Sequence, residues 1–212
     1  MGDWSPRAKV ENNMTIEKQN RRQKIIEVAA KEFAEKGYDN SNINEIATLS
    51  GIGKGTIYLY FKNKKELYLA TMQTVVTLFN EASKSVLALD CSPIEKLKKC
   101  IELIFTFEEE GLPFLILWSR YQFQNTPDFQ EDVHEIFEEL EQPFCEIVKQ
   151  GVDKQLFTTK YPEEVGYIIL SMVIMMIPSL QAKPLLSNVT SEEKISFIIG
   201  LINNGLSCER VN

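Results

Sequence analysis

Between residues 54 and 64 the sequence Lys54-Gly55-Thr56-Ile57-Tyr58-Leu59-Tyr60-Phe61-Lys62-Asn63-Lys64 sets cations and hydroxyls around two core-type residues. Ammonium and hydroxyl groups at this density bond phosphate oxygens, and a few side chains are left to read base edges. Ile57 and Phe61, four apart, can face a core while Lys54, Thr56, Tyr58, Tyr60, Lys62 and Lys64 offer the polar chemistry. The run just upstream, Gly51-Ile52-Gly53-Lys54-Gly55-Thr56, looks like a phosphate cradle. It meets neither nucleotide fingerprint: Thr56 holds the third-glycine position, no strand precedes it, and Lys54 lacks the Walker spacing.

Other reactive residues point away from catalysis. The single histidine, His134, sits among Glu131, Asp132, Glu135 and Glu138 and reads as a solvated helix residue. No GxSxG, HExxH or paired-cysteine motif is present, and the carboxylates fall on exposed-looking helix faces. Cys91, Cys100, Cys145 and Cys208 are widely spaced, as buried or incidental thiols are. No catalytic residue, metal site or cofactor is expected.

The elements that would carry Lys54–Lys64 are legible around it. Ile25, Ile26, Ala29, Ala30 and Phe33 mark one face of a helix from about Thr15 to Lys36, closed by Gly37 in the left-handed conformation. Arg21, Arg22 and Lys24, on or near its polar side, suit either a solvated face or a phosphate backbone. Asn42 is an N-cap for a second helix, with Glu45 placed to complete a capping box and Ile43, Ile46, Ala47 and Leu49 as its buried side. Gly51 permits a sharp turn into a third helix, Lys54 to Tyr60, and Asn63 caps a fourth with Glu66 at its third position. A supporting helix followed by two short helices about a glycine turn is a helix-turn-helix, whose second helix enters the major groove of DNA.

Charge is distributed to match. The net charge is −7, but residues 1–65 hold 12 Lys and Arg against 8 Asp and Glu, and residues 66–212 hold 11 against 22. A head at +4 on a body at −11 confines phosphate attraction to one end of the chain.

Gly37-Tyr38, Ile43-Asn44-Glu45-Ile46-Ala47 and the continuous stretch Ser50 to Leu67 resemble the signature of the TetR family of transcriptional regulators. Gly53 stands where the family usually has a serine, and Ser41-Asn42 replaces a common threonine pair. The resemblance implies DNA contact by Asn42, Lys54, Gly55, Thr56, Tyr58, Leu59, Tyr60 and Lys64. It also implies an all-α chain of about nine helices: a flexible tail over 1–14, a three-helix DNA-binding head over 15–63, and a helical effector-binding and dimerisation body over 64–212.

Within the body, Leu67, Thr71, Thr74, Val75, Leu78, Phe79, Ala82 and Val86 stripe a helix from Lys64 to about Leu89, either a mechanical link to the head or a plain core helix. Ser92-Pro93, Gly111-Leu112-Pro113, Thr126-Pro127 and Tyr161-Pro162 open four more helices, to about Glu110, Gln124, Gln150 and Leu180, and a last runs from Ser191 to Leu206. The final two lack a fully polar face, and Gly200 permits close helix approach. The family resemblance implies that they (about 162–180 and 191–206) pair with a second subunit, the alternative being an intrachain core. Aromatic residues crowd Phe105 to Phe123, as core or as a pocket. The resemblance favours an effector pocket there, with Phe105, Trp118, Tyr121, Met172 and Met176 as lining and Arg120 or Glu109 as polar anchors.

The expected function is a repressor released from a palindromic double-stranded DNA operator by a small, largely apolar effector. The alternative is a chromosome-organising factor that uses the same head without an effector. The polar start of the chain and the lack of an apolar run of roughly 20 residues suggest a cytoplasmic protein without a membrane partner.

Overall fold

The computed structural model describes residues 6–106, 111–117, 130–177, 186 and 188–206, without the side chains of 6–15 and 130. Among them lie nine helices and no strand: α1 (Pro6–Asn40), α2 (Ile43–Ser50), α3 (Lys54–Ile57), α4 (Lys64–Leu87), α5 (Pro93–Thr106), α6 (111–117), α7 (Gln130–Asp153), α8 (Pro162–Met175) and α9 (Ser191–Leu206). Two compact units result, Met1–Thr71 and Met72–Asn212, with α4 running from one into the other.

In the first unit, Ile25, Ile26, Ala29, Ala30 and Phe33 of α1 are buried, as their spacing requires. Gly37 breaks α1 at φ 76°, ψ 170°, a region essentially closed to residues with a side chain. The helix begins at Pro6, inside the expected tail, because a polar segment without glycine can be helical while showing no apolar period. Ile43, Ile46 and Ala47 of α2 are buried with Ile57, Phe61 and Leu67. Leu49, expected inside, is 60% exposed: α2 ends at Ser50, so only its Ile43–Ala47 face meets α1.

In the second unit α5, α7, α8 and α9 surround a core that includes Leu97, Ile101, Phe144, Ile147, Leu170, Val173, Ile198 and Ile202. Ser92 and Glu95 close a capping box on α5, and Thr190 and Glu193 close another on α9. Leu78 of the expected α4 stripe is exposed, and Met72, Val76 and Ser83 are buried in the line of Phe79 and Val86. Helix α8 stops at Met175 rather than near Leu180, capped by Met176, and Ile177 is no longer helical. The expected ends of helices at Glu110, Gln124 and Leu180, and the start at Thr126, lie outside the described residues. The third helix also closes early, at Ile57, with Tyr58–Tyr60 continuing as turns.

One close helix approach and a pair of hydrogen bonds tie the body's helices together. Gly166 of α8 faces Cys145 of α7 so tightly that a Cβ there would lie 2.6 Å from the Cys145 sulfur and 2.7 Å from its backbone nitrogen. Gly200, expected to serve such an approach, has nothing within 4 Å of that position. Pro143 interrupts α7, and its missing N–H leaves the carbonyl of Glu139, one turn earlier, without a helical donor. Asn80 Nδ2 of α4 donates to that carbonyl at 3.0 Å, and Gln73 Nε2 donates to the Glu139 carboxylate at 2.8 Å.

Candidate nucleic-acid interface and body cavity

The Asn42 side chain accepts from Asn44 N–H at 2.9 Å and so caps α2 as its type predicts. Glu45 does not return to the Asn42 N–H. Lys36 takes it instead, at 2.7 Å, and Glu32, nearly fully buried and 3.0 Å from the same ammonium, accepts the Asn42 N–H at 3.4 Å. A capping box was therefore expected from the right N-terminal residue and the wrong carboxylate. The two carboxylates hold Lys36 above its ordinary pKa, the bond to Glu45 contributing most.

Gly51 turns the chain at φ 73°, ψ 29°, and its N–H reaches back to Ala47 and Thr48 carbonyls. From there α3 sends Ile57 inward and Lys54, Gly55, Tyr58 and Leu59 outward. Lys54 and Lys62 are exposed, and neither forms an ion pair among the described residues. Thr56 and Tyr60 are half-buried beside them, and Asn42 is exposed at the start of α2. Asn63 caps α4 by accepting the Glu66 N–H at 2.8 Å, and the Glu66 carboxylate accepts the Lys62 N–H at 2.6 Å. Six of the expected DNA-contacting residues, Lys54, Gly55, Thr56, Tyr58, Leu59 and Tyr60, thus lie in α3 and the turns after it, and Asn42 lies at the start of α2. Lys64 stands apart from them. Its ammonium donates to the Asp39 carbonyl at 3.2 Å and lies 4.8 Å over the Tyr38 ring, where burial lowers its pKa. It has two N–H donors left over. Arg22, an exposed residue, rests its guanidinium 5.1 Å over the Phe61 ring.

The second unit holds an apolar cavity of about 30 Å³ lined by Val75 and Phe79 of α4, Ile104 of α5, Phe114 and Leu115 of α6, Phe137 and Leu140 of α7, and Leu170 and Ile174 of α8. Phe79 and Phe144 stack beside it, 6.0 Å apart. Of the residues expected to line a pocket, Phe105 and Met176 are buried and Met172 half-buried, but none lines this cavity. Trp118, Tyr121, Arg120 and Glu109 lie outside the described residues. The α4 and α7 side chains that do line it look like ordinary helical core in sequence, so nothing in their spacing could have singled them out. Pro143 was the one visible signal of the hydrogen bonds between α4 and α7.

Acidic groups concentrate elsewhere, in a groove lined by Glu138, Glu141, Gln142, Cys145, Glu146, Lys149 and Glu163. Lys149 pairs with Glu163 at 2.6 Å, and His134 with Glu138 at 3.2 Å. Burial raises the Glu141 pKa from its ordinary 4.5 to about 7, with Glu138 adding and His134 opposing. Between those values the folded chain holds a proton that the unfolded chain has released, so stability falls as pH rises from about 4.5 to about 7. Glu141 is about half solvated, which shrinks the effect. In Glu141→Gln the melting temperature is expected to change less between pH 5 and pH 8 than in the wild type; an identical pH profile would contradict the assignment.

Residues 25–71 match the model of the bacterial regulatory proteins of the tetR family. A TetR-family transcriptional regulator, PfmR from Thermus thermophilus, superimposes with a TM-score of 0.66 at 25% identity, over 87% of this chain and 99% of that one. Residues 25–71 are thus similar to the DNA-binding part of tetR-family regulators. A fatty acid metabolism regulator of Bacillus subtilis is 29% identical over 112 residues, 53% of this chain and 58% of the relative. The structure of the regulator FadR from Bacillus subtilis in complex with stearoyl-CoA matches with a TM-score of 0.74 at 20% identity, over 86% of this chain and 98% of that one. The helix-turn-helix of this chain is accordingly that of a DNA-binding transcriptional regulator. Among the described residues no helix is long and apolar enough to cross a membrane, and no group of three or more His, Cys, Asp or Glu is arranged for a metal ion.

Proposed function

We propose that the protein is a cytoplasmic, non-catalytic dimeric repressor that leaves its operator when a fatty acyl thioester enters the body. In this reading the heads, residues 15–63 of each chain, occupy successive major grooves of a near-palindromic duplex. Asn42, Lys54, Gly55, Thr56, Tyr58, Leu59, Tyr60 and the two spare donors of Lys64 contact the DNA. The bodies, residues 64–212, pair with each other and bind the effector.

The observation that carries the effector reading is the sharing of α4. Its first residues belong to the unit that holds the helix-turn-helix, and Val75 and Phe79 of the same helix wall the cavity. A volume of about 30 Å³ holds little more than one water, and an all-apolar lining keeps even that out. Ligand pockets run to about 300–1,000 Å³, so an occupied body must have its walls apart, and α4 is one of them. A ligand that binds only the opened arrangement draws on that difference to move the head. The apolar lining suits an acyl chain, and the relatives concerned with fatty acids point the same way. With saturating stearoyl-CoA the full-length protein is expected to bind its DNA about 5–150-fold more weakly, a coupling of about 1–3 kcal/mol, and with coenzyme A alone to bind unchanged. Stearoyl-CoA that demonstrably occupies the body without altering DNA affinity would overturn this reading.

The dimer reading draws on exposed apolar side chains of the last two helices. Ile168 and Met175 on α8, and Phe197 and Leu201 on α9, are each about half exposed, with open space over Gly200 between the last two. Phe197→Glu combined with Leu201→Glu is expected to leave the fold intact and to convert a sedimenting dimer to a monomer at micromolar concentration. An unchanged dimer would move the interface elsewhere. Genome-wide mapping separates a repressor, at one or two promoters, from a chromosome organiser at dozens of dispersed sites.

A further inference from the structure

We infer that Leu59 reads a thymine, its side chain meeting the C5-methyl group of that base in the major groove beside the gap left by Gly55. This rests on the DNA-binding reading of the head. Leu59 is 78% exposed, the most exposed of the large apolar residues among those described, while Ile57 and Phe61 on either side of it are 1% exposed. The bonds from Leu59 N–H to Thr56 O, Tyr60 N–H to Ile57 O and Phe61 N–H to Ile57 O fix the tight turns that follow α3. Leu59 thus projects away from the core that takes in Ile57 and Phe61. One exposed leucine needs no explanation by itself. This one stands in the middle of the cationic and hydroxyl face, where a polar residue would cost nothing.

Gly55, one turn before it, is the second observation. Glycine weakens a helix, and here nothing inside the chain asks for it. Its φ is not positive, unlike those of Gly37 and Gly51, and a Cβ built on it would meet nothing within 4 Å. The space beside Leu59 is therefore kept open toward the outside, where a groove edge has to come close. In the major groove adenine, guanine and cytosine present only hydrogen-bonding groups, which a leucine cannot pair, whereas thymine sets a methyl beside its O4 acceptor. Thymine alone presents a methyl group.

The test begins with duplexes selected from a randomised library by the full-length protein, in which each thymine is replaced singly by deoxyuridine. That change removes one methyl and keeps every hydrogen-bonding group. At one thymine per half-site the wild type is expected to lose about fourfold in affinity, the equivalent of burying one methyl group. Leu59→Ala is expected to bind both duplexes alike, and Gly55→Ala to melt no lower than the wild type while binding the selected duplex more weakly. Wild-type binding that is insensitive to deoxyuridine at every position, or a Leu59→Ala variant as sensitive as the wild type, overturns the assignment and leaves DNA binding itself intact. Failure of the library to yield any selected duplex overturns the DNA-binding reading and this inference with it.

Discussion

Raising the salt concentration from 50 to 200 mM is expected to weaken operator binding about 10³–10⁵-fold, the effect of a dimer that neutralises about 6–10 phosphates. The chain as a whole carries −7, so this attraction has to come from the head alone. Not every head lysine can supply it. Lys36 already lies between Glu32 and Glu45, at 3.0 and 2.7 Å, and its charge is balanced before DNA arrives. Lys54 and Lys62 are exposed and pair with no described carboxylate. Lys54→Ala and Lys62→Ala should each lower the salt slope by about one per head and weaken all sequences alike, whereas Lys36→Ala should leave the slope where it was. Lys64→Ala should lower the slope and also loosen the head, because it removes the bond to the Asp39 carbonyl and the contact with Tyr38. A wild type whose affinity ignores salt would defeat the electrostatic account, and a Lys36 variant that flattens the slope would misplace it.

Phe33→Ala should abolish DNA binding by unfolding the head. Phe33 has no exposed surface, meets Tyr68 edge to face at 5.0 Å and stacks on Tyr38 at 6.2 Å. Truncating a phenylalanine in such a position costs about 3–5 kcal/mol. Small domains hold roughly 5–15 kcal/mol in all, so the head is left marginal or unfolded. Chemical denaturation followed by DNA binding should show the loss, while hydrogen exchange in α7 and α8, which form a separate compact unit with their own core, stays protected. Phe33→Leu, which keeps most of the volume, should bind DNA with a smaller fall in midpoint. An unaltered midpoint in Phe33→Ala would mean that the tyrosines close the gap and the aromatic cluster is not what holds the head.

The local devices of the head were legible in the sequence because each acts within about four residues. The Asn42 and Asn63 caps, the positive φ of Gly37 and Gly51, and the inward turn of Ile57 and Phe61 follow from residue type and helical period alone. So does the dense run from Ser50 to Leu67 that carries the family likeness. The tertiary structure decided what required a partner far along the chain. Glu45 could have closed a capping box, but folding placed Lys36 nearer and handed the Asn42 N–H to Glu32. A glycine suited to close helix contact stood at Gly200 and another at Gly166, and only the crossing of α7 and α8 put the contact at Gly166. Pro143 announced a carbonyl without a donor, and only the packing of α4 on α7 showed that Asn80 supplies one. The cavity is of the same kind: Val75, Phe79, Leu140 and Leu170 are core residues by every local measure, and a gap among them exists only where five helices fail to fill space together.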